Sequence, residues 1–278
     1  MRRRSLMRSL AMAAMAAAFL GATARAAELP APGASPKIDA IKKRGALKAA
    51  AIGEFPWLPE NTTGSGPQYS GPAWVLAQEY ARQLGVELQV VQVSHETKVP
   101  ILATGEADIT IAPLAVTPKR LEVVDFIVYS ASSLCLFGKA DNPKLQDLKT
   151  VDDLDRPDIT MAYFTGTPPE TWAPERFHAM KFRAVTGSGA NAPVEEVMSG
   201  RADIAPIDNV AWPKLERSVP GLASWPAGDD CLKSQEMKTD VGLAVDKGDP
   251  VFRDWLQAVY EEVKDKVTAE ELRILKGE

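Results

Sequence analysis

GEADITIAPLAVTPKRLEVVDFIVYS, residues 105–130, predicts a strand, a polar corner, a short helix and a second strand in direct succession. Residues 109–112 are rich in β-branched side chains and alternate in hydropathy, which favours a strand. Thr117 and Pro118 predict a helix start, because Thr is a good N-cap and Pro is tolerated at the first helical position. The stretch therefore predicts one α/β corner of a layered fold.

Arg120 falls in the first turn of this predicted helix. The N-terminal end of a helix carries partial positive charge, so the helix does not stabilise a cation there. Two interpretations follow, a solvated surface side chain or a cation that holds an anion. The stretch alone does not separate them.

Predicted strands and helices alternate on both sides of this stretch, which favours a layered α/β fold. Residues 105–109 and 200–204 share the pattern G-x-A-D-I, and each follows a predicted helix and opens a strand. The repeated corner predicts two similar lobes. We further expect a small polar crossover at residues 130–133 and two C-terminal helices, at residues 251–264 and 269–276.

The first 26 residues predict an export signal. Four arginines between positions 2 and 8 precede an apolar run at residues 10–20, and a small-x-small site at residues 24–26 places the mature start at Ala27. The apolar run is too short to span a bilayer. The mature chain is therefore expected to be soluble and periplasmic, with Sec and twin-arginine export both left open.

The charge balance of the mature chain excludes some partners. Five of the 32 basic residues and none of the 37 acidic residues lie in residues 1–26, which leaves 27 basic residues and a net charge of −10. This balance argues against nucleic acid and anionic membranes as partners. About 250 residues suit one large domain or two ordinary ones, and we expect a monomer.

Cys135 and Cys231 are the two cysteines of the chain. In an oxidising compartment they are a candidate disulfide, and two buried thiols are the alternative that the sequence leaves open. With two histidines and no clustered ligands, the sequence predicts no metal site and no cofactor.

Two loops carry candidate ligand contacts. Phe55 and Trp57 flank a proline in a loop after the first predicted strand, where aromatics either line a ligand cleft or pack beneath the loop. Thr167 and Glu170 have the spacing of a capping box, which predicts a helix start there. A strand that ends at a helix N-terminus is also a candidate anion site.

Seven segments in this order resemble the extracellular solute-binding proteins of polar amino-acid ABC importers, such as the histidine- and glutamine-binding proteins. They are IKKRGALKAA (41–50), LAQEYARQLGVELQVV (76–91), ILATGEADITIAPLAVTPKRLEVVDFIVYS (101–130), LKTVDDL (148–154), TGT (165–167), SGRADIAPID (199–208) and VGLAVDKGDP (241–250). Each match is weak alone, whereas their order and spacing over nearly the whole mature chain are specific.

The resemblance implies a two-lobed α/β fold, the type II periplasmic-binding-protein fold, with the ligand between lobes joined by two crossover strands. Lobe 1 would comprise residues 27–130 and 238–278, and lobe 2 residues 131–237. The implied function is capture of an amino acid or related small carboxylate by hinge closure. The partner would be an inner-membrane ABC permease.

The resemblance also implies a ligand-binding set. Arg120 would clamp the ligand α-carboxylate with two parallel hydrogen bonds, which Arg provides and Lys does not. Asp208 would pair with the α-ammonium. The turn Thr165, Gly166 and Thr167 would meet the carboxylate from lobe 2, with the N–H of Thr167 as donor.

Further contacts are implied on the lobe 1 side. His95 would lie over the ligand, and Phe55 and Trp57 would form an aromatic wall. Pro113 would offer its carbonyl and Ala115 its N–H. Ala115 departs from the family pattern, which has Ser or Thr five residues before the arginine. The resemblance therefore leaves open whether the ligand carries an α-amino group.

Two alternatives use the same fold. Periplasmic cyclohexadienyl dehydratases resemble these binding proteins and use an acid in the cleft, near the position of Glu170. A ligand-sensing subunit for a membrane receptor would need the same cleft as a transport protein. We expect a binding protein rather than an enzyme.

Overall fold

A computed structural model describes residues 27–186 and 192–277. The predicted export signal lies outside the described residues. Among the residues described, no helix combines the length and the apolar composition needed to cross a membrane.

The described chain alternates strands and helices. The strands are β1 (Ala46–Ala51), β2 (Glu87–Gln92), β3 (Ile109–Ala115), β4 (Val124–Lys139), β5 (Thr160–Phe164), β6 (Lys181–Val185), β7 (Ile204–Asp208), β8 (Leu222–Trp225) and β9 (Glu236–Asp246). The helices are α1 (Pro36–Arg44), α2 (Pro72–Leu84), α3 (Pro100–Thr104), α4 (Pro118–Leu121), α5 (Pro169–Arg176), α6 (Ala192–Met198), α7 (Trp212–Ser218) and α8 (Pro250–Lys276). Short 3-10 turns span Asp152–Leu154 and Gly228–Lys233.

One sheet carries the strand order β2-β1-β3-β9-β4-β7-β5-β6, and β8 pairs with β4. β1 pairs in parallel with β2 and β3, and β5 pairs in parallel with β6 and β7. The two parallel groups are joined through the long antiparallel pair β4 and β9. Each group has helices packed on it, as expected for α/β units.

Buried apolar residues form separate cores on the two sides of β4 and β9. The largest core combines residues 38–129 with residues 241–267, whereas two further cores lie within residues 135–231. We refer to the surroundings of the largest core as the first lobe and to those of the other two as the second lobe. The residue boundaries of the lobes stay predictions, because β4 and β9 run through both.

The repeated G-x-A-D-I pattern makes the same corner twice. In the first lobe, the Lys48 N–H donates to the Asp108 carboxylate (2.8 Å), and the Asp108 N–H donates to the Lys48 carbonyl (2.9 Å). In the second lobe, Thr160 and Asp203 exchange the equivalent bonds at 2.9 and 2.8 Å. Each Asp therefore ties the start of its strand to the start of the parallel neighbour, and both are structural rather than ligand-facing.

Three predictions about elements are wrong. The expected crossover at residues 130–133 is not a separate segment between two strands, because it continues as part of β4 and pairs with β9. The two expected C-terminal helices are one, α8, whose apolar face packs on the first core. The capping box of Thr167 and Glu170 is not formed, since α5 begins after Pro168 with no side-chain cap.

Cys135 in β4 and Cys231 form a disulfide, with their Cα atoms 5.6 Å apart. Both residues are fully buried in the second lobe. The bond joins two points 96 residues apart in the chain.

Candidate ligand-binding cleft

A cavity of about 610 Å³ lies between the two lobes, a volume that suits a small-molecule ligand. Eight of the ten predicted ligand-binding residues line it, namely Phe55, Trp57, His95, Pro113, Ala115, Arg120, Thr167 and Asp208. Thr165 and Gly166 do not line it, although both belong to the turn that borders it.

Arg120 lies on the short helix α4, and Thr117 caps that helix by accepting a hydrogen bond from the Arg120 N–H (3.3 Å). The guanidinium donates to the Ala115 carbonyl (2.8 Å) and to the Gly166 carbonyl (3.1 Å), which uses two of its five donors. Burial lowers the pKa of Arg120 to about 10, against the opposing effect of Glu54. The side chain stays a cation at neutral pH and brings positive charge into the cavity.

The turn opposite Arg120 uses its own polar groups. The Gly166 N–H donates to the Glu170 carboxylate (2.9 Å), and the Thr167 hydroxyl donates to the Phe164 carbonyl (2.6 Å). The Thr165 N–H donates to the Val185 carbonyl (2.9 Å). Glu170 thus reaches back to Gly166 and does not line the cavity, so the structure does not place it as an acid in the cleft.

His95 is buried at the cavity wall, 7% exposed, and its ring centroid lies 4.4 Å from that of Phe164. Neither ring nitrogen has a hydrogen-bond partner in the structure. Burial, together with the nearby Lys98 cation, lowers the pKa of His95 to about 4. The imidazole is therefore neutral, with one donor and one acceptor directed at no protein group.

Lys98 and Glu54 are site residues that the sequence analysis missed. The Lys98 ammonium lies 2.8 Å from the Pro113 carbonyl oxygen and 3.5 Å from the Glu54 carboxylate, and all three residues line the cavity. A signal for them exists, because Glu54 follows β1 and Lys98 follows β2. Neighbouring parallel strands end at the same edge of a sheet, where ligands bind in open α/β sheets.

Asp208 ends β7 and accepts a hydrogen bond from the Ser132 hydroxyl of β4 (2.8 Å). Burial and the nearby Glu54 charge raise the pKa of Asp208 to about 7, against the opposing effects of the Ser132 hydrogen bond and Lys98. The carboxyl group is therefore divided between its neutral and charged forms at neutral pH.

The two predicted aromatic residues have different surroundings. Trp57 is 1% exposed, and its indole N–H lies 3.0 Å from both the Ser130 hydroxyl and the Glu271 carboxylate. It is mainly a core residue that ties the loop to α8. The ring of Phe55 instead meets the Lys214 ammonium from the second lobe, 4.1 Å from the ring centroid.

The two lobes touch across the cavity. The Arg120 guanidinium donates to the Gly166 carbonyl, the His95 ring packs against the Phe164 ring, and the Phe55 ring contacts the Lys214 ammonium. Gly166 has a φ of +77°, and a Cβ added there would lie 3.0 Å from the Glu96 Cα and from the His95 carbonyl oxygen. The structure is therefore a closed arrangement in which the backbones of the lobes meet at Gly166.

The family model for bacterial extracellular solute-binding proteins, family 3, matches residues 55–273. The chain belongs to this family. The match extends over both lobes and the crossover strands. No curated protein matches the chain.

Solved structures support the same assignment. The ancestral amino acid-binding protein AncCDT-1, described as a precursor of cyclohexadienyl dehydratase, is 26% identical, with a TM-score of 0.71 over 86% of this chain and 98% of its own. A mutant of arginine-bound ArgBP from T. maritima is 26% identical, with a TM-score of 0.68 over 81% and 99%.

A putative binding component of an ABC transporter from Wolinella succinogenes, complexed with lysine, is also 26% identical, with a TM-score of 0.70 over 83% and 95% of the two chains. The fold of this family member is thus that of the type II periplasmic binding proteins, as predicted. The roles of single residues in the cleft stay predictions.

Proposed function

We propose that this solute-binding protein is the periplasmic component of an ABC importer and captures an amino acid or related small carboxylate by closure of its two lobes. The family match supports the solute-binding role. Relatives described as binding arginine or lysine, one of them as part of an ABC transporter, support the substrate class and the permease partner.

The observation that carries the proposal is the Arg120 guanidinium in the wall of a cavity between two lobes. A planar guanidinium with free donors binds a carboxylate through two parallel hydrogen bonds. Its bond to Gly166 also connects the ligand-facing cation to the opposite lobe. A ligand carboxylate held by Arg120 would therefore favour the closed arrangement, because closure excludes water from the ion pair between the carboxylate and the guanidinium.

The arrangement favours binding over catalysis. The Glu170 carboxylate, the acid considered for a dehydratase-like reaction, does not line the cavity and accepts a hydrogen bond from the Gly166 N–H instead. Glu54 and Asp208 do line the cavity, where Lys98 and Ser132 contact them. These contacts are those of a polar pocket wall.

The proposal is tested by a thermal-shift screen of amino acids and small carboxylates, followed by calorimetry on the hits. A ligand at about 100 times its Kd stabilises the folded protein by about 2.7 kcal/mol, which a thermal shift detects. Arg120→Ala should lower the affinity at least tenfold, because a charge-assisted hydrogen bond contributes roughly 1.5–3 kcal/mol.

Arg217→Ala is the matched control, since Arg217 is exposed on α7 and does not line the cavity. Equal affinities of the Arg120→Ala variant and the unmodified protein would refute the role of Arg120. The absence of any hit in the screen would refute the substrate class.

A further inference from the structure

We propose that the ligand of the cleft is a small carboxylate that lacks an α-ammonium group, because the protein's own Lys98 ammonium fills the place of one. This inference rests on the proposed function and narrows its substrate class. It starts from the contacts of Lys98, which the motifs of the sequence did not indicate.

The Lys98 side chain is buried, with the whole residue 3% exposed, and its ammonium reaches the cavity wall. It donates to the Pro113 carbonyl oxygen at 2.8 Å and lies 3.5 Å from the Glu54 carboxylate. Pro113 and Glu54 also line the cavity. The protein therefore already places one primary ammonium against the strongest acceptors of the first-lobe wall.

A ligand ammonium buried in the same cavity would need acceptors of its own. An ammonium group carries three donors, and its burial without partners is strongly unfavourable. The Lys98 ammonium already contacts Pro113 and Glu54, and a second ammonium beside it would add repulsion between like charges. Glu195 of α6 is exposed at the second-lobe side of the lining, so it offers no buried acceptor next to Lys98.

Asp208 is the remaining acidic side chain of the lining, it is half-buried, and the Ser132 hydroxyl already donates to it. Burial and the Glu54 charge together outweigh the Ser132 hydrogen bond and the Lys98 charge, and they raise the pKa of Asp208 to about 7. A carboxyl group that is half protonated at neutral pH is a weak partner for a cation. In its neutral form it donates a hydrogen bond to a ligand oxygen instead.

The groups left for the ligand favour an anion. Arg120 has three donors beyond its bonds to Ala115 and Gly166, and the neutral His95 has an N–H without a protein acceptor. A ligand carboxylate satisfies these donors, and a hydroxyl or oxo oxygen at the neighbouring carbon would face the Lys98 and Asp208 side of the wall. The chemical class is therefore a 2-hydroxy acid, a 2-oxo acid or an unsubstituted small carboxylate.

The decisive experiment compares ligands that differ at the α-carbon alone. L-alanine, L-leucine, L-glutamate and L-lysine are each titrated by calorimetry against their 2-oxo and 2-hydroxy counterparts. We expect the tightest ligand to be an ammonium-free acid that binds at least tenfold more tightly than its own amino acid. The inference is wrong if, in the set that binds best, the amino acid binds more tightly than its 2-oxo and 2-hydroxy counterparts.

Failure of the inference can be told from failure of the proposed function. If an amino acid binds best and Arg120→Ala abolishes its binding, the narrower ligand class is wrong and the binding function stands. If no member of the four sets binds the unmodified protein, both are wrong.

Substitution of Lys98 tests the cause. Lys98→Met keeps the aliphatic stem and removes the charge, so the preference for the ammonium-free acid should shift by at least tenfold toward the amino acid. Lys119→Met, an exposed lysine of α4, is the control that should keep the original preference. An unchanged preference in a folded Lys98→Met variant would refute the role of Lys98.

Removal of Lys98 leaves the Glu54 carboxylate without its cation, so the single variant can lose stability. The double variant Lys98→Met with Glu54→Gln avoids this charge, and it should show a smaller shift in the same direction through the freed Pro113 carbonyl. An unchanged preference in the folded double variant would equally refute the role of Lys98.

Proton linkage gives an independent readout. Binding of an anion near Asp208 favours its neutral form, so an ammonium-free acid should be taken up together with a proton, with affinity rising as the pH falls from 8 to 6. A ligand ammonium would favour the charged form and reverse that dependence. Proton release on binding of the tightest ligand would contradict the inference.

Discussion

His95 shows how burial decides the chemistry of a single residue. Its ring is packed on Phe164 and lies close to the Lys98 and Arg120 cations, while the Glu54 and Glu96 carboxylates act in the opposite direction. The loss of water outweighs the two acids, so the pKa of His95 falls to about 4. The cleft thereby gains a neutral hydrogen-bonding group and not a further cation beside Lys98, Arg120 and Lys214.

The lowered pKa of His95 predicts an acid-dependent loss of stability. Above about pH 6.5 His95 is neutral in both folded and unfolded protein, so it adds no pH dependence there. As the pH falls from 6.5 toward 4, His95 binds a proton in the unfolded chain but stays neutral in the folded protein. The contribution to the free energy of unfolding that is lost in this window is roughly 3 kcal/mol.

His95→Gln should flatten this part of the stability profile, as measured by urea unfolding between pH 4 and 7.5. His178→Gln is the matched control, because His178 is exposed and loses little water on folding. Parallel profiles for His95→Gln and the unmodified protein would show that the histidine is not held neutral.

At the scale of elements, the turn between β5 and α5 controls how closely the lobes approach. Gly166 has a positive φ and faces the backbone of residues 95–96 from the first lobe. A methyl group there would lie within 3.0 Å of backbone atoms, which cannot move as a side chain can. The glycine therefore provides both the left-handed turn and the space for closure.

Gly166→Ala should lower ligand affinity at least tenfold, because the closed arrangement must open by the width of the added methyl group. Gly200→Ala is a close control, since Gly200 has a φ of +74° and nothing within 4 Å of an added Cβ. Both variants should lose about 1 kcal/mol of stability from the strained backbone. Calorimetry that finds equal affinities for the two variants would argue against contact at Gly166.

Local rules explain which elements were predictable. The cap of α4 by Thr117 and the two Asp corners depend on residues adjacent in sequence or on a repeated motif, so their patterns were sufficient. The role of Lys98 depends on contact with Pro113, 15 residues away, and with Glu54, 44 residues away. No local pattern contains those pairings.

The errors have similar causes. Glu170 has the spacing of a capping partner for Thr167, but the left-handed turn at Gly166 directs the Gly166 N–H to the Glu170 carboxylate. The small polar residues 130–133 predicted a crossover between two separate strands, yet pairing with β9 keeps them inside one continuous strand. The partner that decides the first case is Gly166, directly before the pattern, whereas in the second it is β9, far along the chain.

On the scale of the whole molecule, the cavity exists because two lobes meet face to face. The fold was predictable from the order of motifs, since each motif marks one corner of a known arrangement. The balance of charge in the cavity was not predictable, because Glu54, Lys98, Arg120 and Asp208 come from four separate segments.

Closure predicts a change in overall dimensions that small-angle X-ray scattering can measure. We expect the radius of gyration to fall when a saturating ligand is added, because the ligand stabilises the closed arrangement. Gly166→Ala should keep a larger radius at the same ligand concentration. A radius that is the same with and without bound ligand would refute hinge closure.

The pairing of β4 with β9 has a consequence for how such a protein can be altered. Ser132 on the way into the second lobe lies opposite Thr239 on the way out, so the chain enters and leaves at adjacent rungs of one antiparallel ladder. Cα atoms opposite each other in such a ladder are about 4.5–5.5 Å apart. The second lobe is thus connected to the first through two adjacent strands. A whole second lobe from a relative could be inserted between these strands while Arg120 and Lys98 remain in the first lobe of this protein.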